Sequence, residues 1–179
     1  MSPRKGLDVL IRAFEKLSPE HPSWTLVLAG GFPFYYEYHH SYLKTLASSL
    51  IKQKRVIFLG KFKINDAHSL LEASKVVAFP YIYNFGASSA LTFALQHRKV
   101  VVISNLSFVT DLLTDGEDAV LVPPGNPTLL AEAIECAMCN EKLRNNIQKG
   151  LVNLLERSSW DFVAKETLKV YDKVLSGSI

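Results

Sequence analysis

Short apolar runs alternate with helix-period segments along the whole chain, and that alternation leaves few folds open. The runs are Trp24–Ala29, Val56–Leu59, Val76–Phe79, Val100–Ile103 and Ala119–Val122. Each is too short for a core helix, and apart from Thr25 each is continuously apolar, as strands buried on both faces are. Between them apolar residues recur at helical spacing: Leu7, Leu10, Ile11, Phe14 and Leu17, then Leu43, Leu46, Ala47, Leu50 and Ile51, then Leu70 and Leu71. Pro19 and Pro22 stop the first helix. Asn65 or Asp66 suits the N-cap of the third. Helices are also predicted at about 88–96 and 108–113, and Asp115-Gly116 marks a turn. Asn126 and Pro127 open another helix as cap and first residue, with Leu130, Ala133, Ile134, Ala137 and Met138 on its inner face. Two more helices are predicted at about Glu141–Arg157 and Trp160–Leu175.

Strands that alternate with helices imply right-handed crossovers. The expected architecture is α/β: one Rossmann-like, doubly wound parallel sheet with helices on both faces, a single domain over residues 1–179. Such sheets bind ligands at the carboxyl ends of their strands. There the chain carries Gly30-Gly31, Gly60-Lys61-Phe62, residues 80–86 and Ser104-Asn105.

Composition narrows the class. Hydrophobic residues make up 48% and charged residues 21%, as in a globular chain with a real core. The net charge of +3 is compatible with an anionic ligand. The densest basic group, Lys52, Lys54 and Arg55 with Lys61 and Lys63, reads as a solvated face, so no nucleic-acid partner is expected. No apolar run approaches the roughly 18 residues that span a bilayer. No signal-peptide pattern opens the chain, so a cytoplasmic location is expected. Cys136 and Cys139 fall inside a helical pattern rather than at a helix start after a strand, and they read as small, half-buried helix residues.

The segment from Phe79 to Asn105 carries the most chemistry. It reads as strand, glycine loop, helix opening at Ser88 or Ser89, and strand. A turn of this kind aims backbone N–H groups at whatever lies above the sheet, which suits a phosphate. From Ala73 through Thr110 there is no Asp or Glu. The absence of Gly-x-Gly-x-x-Gly after the first strand argues against a dinucleotide-binding dehydrogenase.

The blocks in order resemble the nucleotide-sugar-binding, C-terminal half of a GT-B glycosyltransferase, of the large retaining group 1 family. Pro3-Arg4-Lys5-Gly6 through Ile11 resembles the family's Lys-Gly opening helix. Leu26–Gly31 resembles its strand and glycine turn, and Val56–Gly60 its hydrophobic-Phe-hydrophobic-Gly strand. Phe85-Gly86 and Ala94-Leu95 sit in its phosphate-loop and helix block. Residues 115–126 resemble its Gly-…-Leu-Val-Pro-Pro-Gly-Asp segment, and Ser159-Trp160 with Val170-Tyr171 its closing Trp and Tyr.

The resemblance implies site residues. Lys5, Gly86, Ala87, Ser88 and Ser89 match the diphosphate-binding positions. Gly60, Lys61 and Phe62 match the loop that edges the base. The family's paired glutamates are missing: their places fall at Tyr83 or Asn84 and among Leu91, Thr92 and Phe93. In the family one carboxylate lies near the sugar and the other holds ribose hydroxyls; Asn84 and Thr92, where they line up, are the neutral replacements, and both are expected on the base and ribose side. A hydrogen bond to a charged group is worth about 1.5–3 kcal/mol against about 1 for a neutral pair, so a loss of about tenfold to hundredfold in binding or rate is expected.

The family also has a strand and an Arg before its Lys-Gly opening, for which Met1-Ser2-Pro3 leaves no room. That strand is interior to the sheet, so two strand edges are expected to be filled by another segment or left unpaired. The acceptor-binding half is absent, and Phe162, Val163, Val170, Tyr171 and Val174 need another surface to cover them.

The remaining candidates read as structure. Phe93 reads as core. Phe32, Phe34, Tyr35, Tyr36 and Tyr38 with His39 and His40 read as a loop and helix start packing on the surface. His39-His40 lacks a third ligand, so no metal is expected. His97 reads as a helix end that favours positive charge.

The resemblance therefore implies a donor-binding domain for a UDP-, GDP- or ADP-sugar with no cofactor, which alone does not transfer sugar. Its partner is the acceptor-binding half or a partner subunit; the expected location is cytoplasmic, with a peripheral place at the inner face of a membrane, reached through the missing half, as the alternative. The alternative is a non-catalytic interaction module kept for its surface.

Overall fold

The structure, a computed structural model, describes residues 1–83, 86 and 88–177, and for Ile64 the backbone alone. Five parallel strands and nine α-helices alternate among these residues. They are α1 (Leu7–Leu17), β1 (Leu26–Ala29), α2 (Glu37–Leu46), α3 (Ser48–Lys52), β2 (Val56–Gly60), α4 (Ile64–Ala73), β3 (Val76–Phe79), α5 (Ser89–Gln96), β4 (Val100–Ser104), α6 (Ser107–Thr110), β5 (Val120–Val122), α7 (Pro127–Cys139), α8 (Glu141–Arg157) and α9 (Trp160–Leu175). This is the Rossmann-like α/β fold.

The parallel ladder comes in two pieces. β1 pairs with β2, Leu26 opposite Val56, and β3, β4 and β5 pair in that order, Val76 opposite Val100 and Val102 opposite Val120. Among the described residues no strand joins β1 to β3. A single buried cluster nevertheless runs through both pieces, from Ile11 and Phe14 of α1 through Leu28 and Val56 to Val100, Val101, Val102 and Ile103 of β4 and to Leu130 of α7. The chain ahead of α1 crosses over the carboxyl ends instead. Its Met1 nitrogen donates to the Gly31 carbonyl, and the Ile82 N–H donates to the Arg4 carbonyl at 3.0 Å.

Local chemistry sets most boundaries. Asn126 Oδ1 accepts from the N–H groups of Thr128 and Leu129, Asn140 Oδ1 from Leu143, and Ser159 Oγ from Phe162, so α7, α8 and α9 each start on a side-chain cap. The third predicted cap is corrected: α4 begins at Ile64, with Lys63 as its N-cap. Asp66 lies three residues in, and its carboxylate accepts the Lys63 N–H at 3.0 Å. The stripe from Leu43 to Ile51 is two helices, broken at Ala47.

Other expectations of burial are corrected too. β4 is buried throughout, but Val27, Ile57 and Leu59 of β1 and β2 are exposed while Leu28 and Val56 are buried, so this part of the sheet has one open face. Cys136 and Cys139 are both exposed. Phe93 is half-buried at the α4–α5 margin, where its ring meets those of His68 and His97. Arg55 is not a solvated charge. Its guanidinium donates to the carbonyls of Ser18, His21 and Trp24 at 3.3, 2.6 and 2.7 Å and pins the turn between α1 and β1.

Candidate functional site

Gly6 fixes the first element of the site. It adopts φ +62°, and a Cβ placed on it would lie 1.9 Å from the Pro80 carbonyl oxygen. Only glycine allows this approach between the chain ahead of α1 and the end of β3. The approach brings Lys5 to the carboxyl rim, where its Nζ lies 4.3 Å from the centre of the Tyr81 ring. Burial, and then the neighbouring Arg4 charge, holds the Lys5 ammonium below the ordinary lysine value. An anion placed here would favour the charged form.

Tyr81 connects this cation to the helix after the glycine loop. Its ring is buried, and its hydroxyl shares a 2.7 Å hydrogen bond with Ser88 Oγ. Burial holds the phenol above its ordinary value, so it stays neutral. Ser88 is the N-cap of α5, and its Oγ also accepts the Leu91 N–H at 3.3 Å. The amides of Ser89 and Ala90, in the first turn, have no acceptor within the helix. The positive end of α5 and the Lys5 ammonium thus bracket one buried phenol. Sequence reasoning missed Tyr81. The one signal for it was an aromatic residue directly after the Pro that ends β3.

Gly86 has φ +75°, and a Cβ there would meet nothing within 4 Å. Thr92 lies one turn into α5, and its hydroxyl donates to the Ser88 carbonyl at 3.2 Å, so its proton is committed to the helix backbone. Ser89 is exposed in the first turn. Asn84, Phe85 and Ala87 lie outside the described residues.

The second group of candidates sits beside β1 and β2. The Gly30 N–H donates to the Gly60 carbonyl at 3.0 Å, and the Lys61 stem lies across Gly31, where a Cβ would fall 2.5 Å from its Cγ. Next to them is a hollow of about 320 Å³, lined among others by Phe32, Phe34, His40, Phe58, Gly60 and Lys61. Phe62 is not among its lining residues. The rings of Phe32 and His40 stack at 4.1 Å and 18°, and burial, then Lys44, holds the His40 imidazole below its ordinary value. Phe32 and His40 line this hollow, while Phe34, at its mouth, and Tyr35 and Tyr38 are exposed, as expected of a loop and helix start on the surface.

Glycine turns, a hollow, a cation and a helix N-terminus follow one another along the carboxyl rim of a parallel sheet. The class that the fold and this rim define is a Rossmann-like α/β domain with its candidate site at the carboxyl ends of the strands. The profile of Glycosyl transferases group 1 matches residues 1–150, and the chain belongs to that family. It is 29% identical over 172 residues to a glycosyltransferase of Methanocaldococcus jannaschii, covering 94% of this chain and 42% of that protein. It is 28% identical over 177 residues to the phosphatidyl-myo-inositol mannosyltransferase of Mycobacterium leprae, covering 98% and 45%. The chain thus spans less than half the length of these relatives. Among solved structures, Anabaena HepE in complex with UDP superposes with a TM-score of 0.81 at 22% identity, over 96% of this chain and 46% of that one. The C-terminal domain of the group 1 protein LpcC from Francisella tularensis superposes with a TM-score of 0.77 at 20% identity, over 87% and 80%. At these identities the superpositions show the fold alone. No helix among the described residues is long and apolar enough to cross a membrane.

Proposed function

We propose that this chain is the donor-binding domain of a retaining hexosyltransferase, which takes a nucleoside diphosphate sugar and passes mannose or glucose to a glycan or lipid acceptor. The observation that carries this reading is the placement of Lys5 beside the capped N-terminus of α5, at the carboxyl rim. The diphosphate lies against Lys5 and the amides of Gly86, Ser88 and Ser89, and Ala87 belongs to the same group. The base enters the hollow beside Gly60 and Lys61, with Phe62 next along the same loop and the ribose toward Asn84 and Thr92. As the sugar leaves, charge develops on the departing diphosphate, and the ammonium and helix amides stabilise it without a metal. The missing carboxylates make the site weaker than one with charged partners for sugar and ribose.

The acceptor site belongs to another half of the enzyme, and the isolated chain binds nucleotide without transferring sugar. In this reading the protein is cytoplasmic, at the inner face of a membrane when its acceptor is a lipid. A second reading, a non-catalytic module kept for its surface, is favoured by the exposed apolar face of α9, including Leu168, Val170, Tyr171 and Val174.

Calorimetry with UDP, GDP and ADP separates the two. The donor-binding reading expects one of them to bind in the millimolar range or tighter, weakened at least about tenfold, or 1.4 kcal/mol, by Lys5→Ala. Absence of binding by all three, with stable association to a partner, supports the module instead.

A further inference from the structure

The opposite end of α1 carries a second cluster of chemistry. Ligand atoms of Glu20, His21 and Glu135 all lie within 4.8 Å of one another, and His21 Nε2 donates to Glu135 Oε1 at 2.6 Å. α1 has 11 residues, so this cluster lies about 16 Å along the helix from Lys5, by its rise per residue. It stands at the amino end of β1, away from the carboxyl rim.

The imidazole is held by the fold and not by Glu135 alone. Its ring stacks on Trp24 with centroids 3.7 Å apart and planes 5° apart. Arg55 fixes the backbone beneath it by donating to three carbonyls of the turn, that of His21 included. Two carboxylates therefore converge on one oriented imidazole. Glu135 comes from α7, the helix packed along α1, while Glu20 and His21 come from the turn that follows α1.

We infer that Glu20, His21 and Glu135 form a site for a divalent cation of the zinc class, which clips the α1–β1 turn to α7. One imidazole and two carboxylate oxygens, with water in the fourth place, are a donor set zinc accepts. With metal–ligand bonds of about 2.0–2.1 Å in a tetrahedron, ligand atoms sit about 3.3 Å apart. The longest separations must close by about 1.5 Å, within reach of a glutamate rotamer change, and the His21–Glu135 pair must open by less than about 1 Å. Magnesium is a poor fit, because it prefers oxygen ligands in an octahedron.

The exposed thiols of Cys136 and Cys139, also on α7, bind zinc in their own right if given the chance, so the test removes them. In the Cys136→Ser/Cys139→Ser chain, calorimetry with zinc chloride is expected to show one site. His21→Ala and Glu135→Gln each weaken it by about 100-fold or more, at or beyond the upper end of the cost of disturbing a metal's outer shell. Magnesium chloride gives no comparable heat. In the same chain with His21 intact, zinc shifts the His21 imidazole resonances and raises Tm, a readout that does not depend on a variant folding. Failure of the thiol-free chain to bind zinc, zinc binding unchanged by both substitutions, or His21 resonances that stay in place overturns the inference.

Discussion

Lys5 owes its position to the residue after it. A methyl group at Gly6 meets the Pro80 carbonyl oxygen, and its φ of +62° is costly for any L side chain. Gly6→Ala is therefore expected to destabilise the protein by at least about 2 kcal/mol, from the left-handed backbone cost of about 1–2 kcal/mol plus the overlap. Gly86→Ala meets open space and bears only the backbone cost. Urea denaturation of the two variants checks the difference. Lys5 also gives the site a pH dependence. Its proton is bound less tightly in the folded chain than in the unfolded one. Over the alkaline window between the folded value and the ordinary 10.5, the unfolded state holds more protons and this group makes stability rise with pH. In the donor-binding reading, diphosphate affinity runs the other way: it is complete while the ammonium is charged and falls as pH rises through the lowered value. Binding isotherms across that range are expected to show the fall in the natural sequence and a flat, weak response in Lys5→Met. The helix start at Ser88 was legible in the pattern; Lys5 was singled out only by resemblance to a family. Tyr81 was not legible, because its value lies in touching two residues that only the Gly6–Pro80 approach brings together.

At the scale of elements, α5 is the part that matters most for the rim. Ser88 ties its first turn to Tyr81 and caps the Leu91 amide, so Ser88→Ala is expected to cost about 1–2 kcal/mol. Because the two side chains share a hydrogen bond, Ser88→Ala and Tyr81→Phe should be non-additive by about 0.5–3 kcal/mol in a double-mutant cycle. Additive losses would mean the bond contributes little. Helix ends with Asn or Ser caps were readable from sequence, and α8 and α9 begin and end where the pattern places them. Strand exposure was not readable. β1 and β2 are apolar at every position but the closing glycine, so the alternation of wet and buried faces left no trace in residue type. The break at Ala47 was hidden for a similar reason, since alanine continues a helix as readily as it ends one.

At the scale of the molecule, the ladder comes in two pieces and α9 has no buried residue. The edges of β1 and β3 that face away from β2 and β4 have no strand partner among the described residues. Trp160 and Leu175, at the two ends of α9, are 89% and 85% exposed. In the donor-binding reading the acceptor half meets α9. Val170→Glu with Val174→Glu is thus expected to leave the Tm of the isolated chain nearly unchanged, since both side chains are exposed. The same pair should abolish co-purification with the acceptor-binding half when the two are co-expressed. The order of strands and helices made the fold class legible. Unpaired strand edges were expected from the sequence, and among the described residues no strand lies between β1 and β3. The hollow beside Gly60 was not foreseen, because Phe32 and His40 wall it only when α2 folds back toward β2.

Titrating ¹⁵N-labelled protein with UDP, GDP and ADP tests whether the carboxyl rim from Gly60 to Ser89 receives a nucleoside diphosphate. One of the three is expected to shift the amides of Lys5, Gly86, Ser88 and Ser89 together with those of Gly60 and Lys61, and to leave Glu20 and His21 in place. Shifts confined to other faces, or none at all at millimolar nucleotide, would contradict nucleotide binding at the rim.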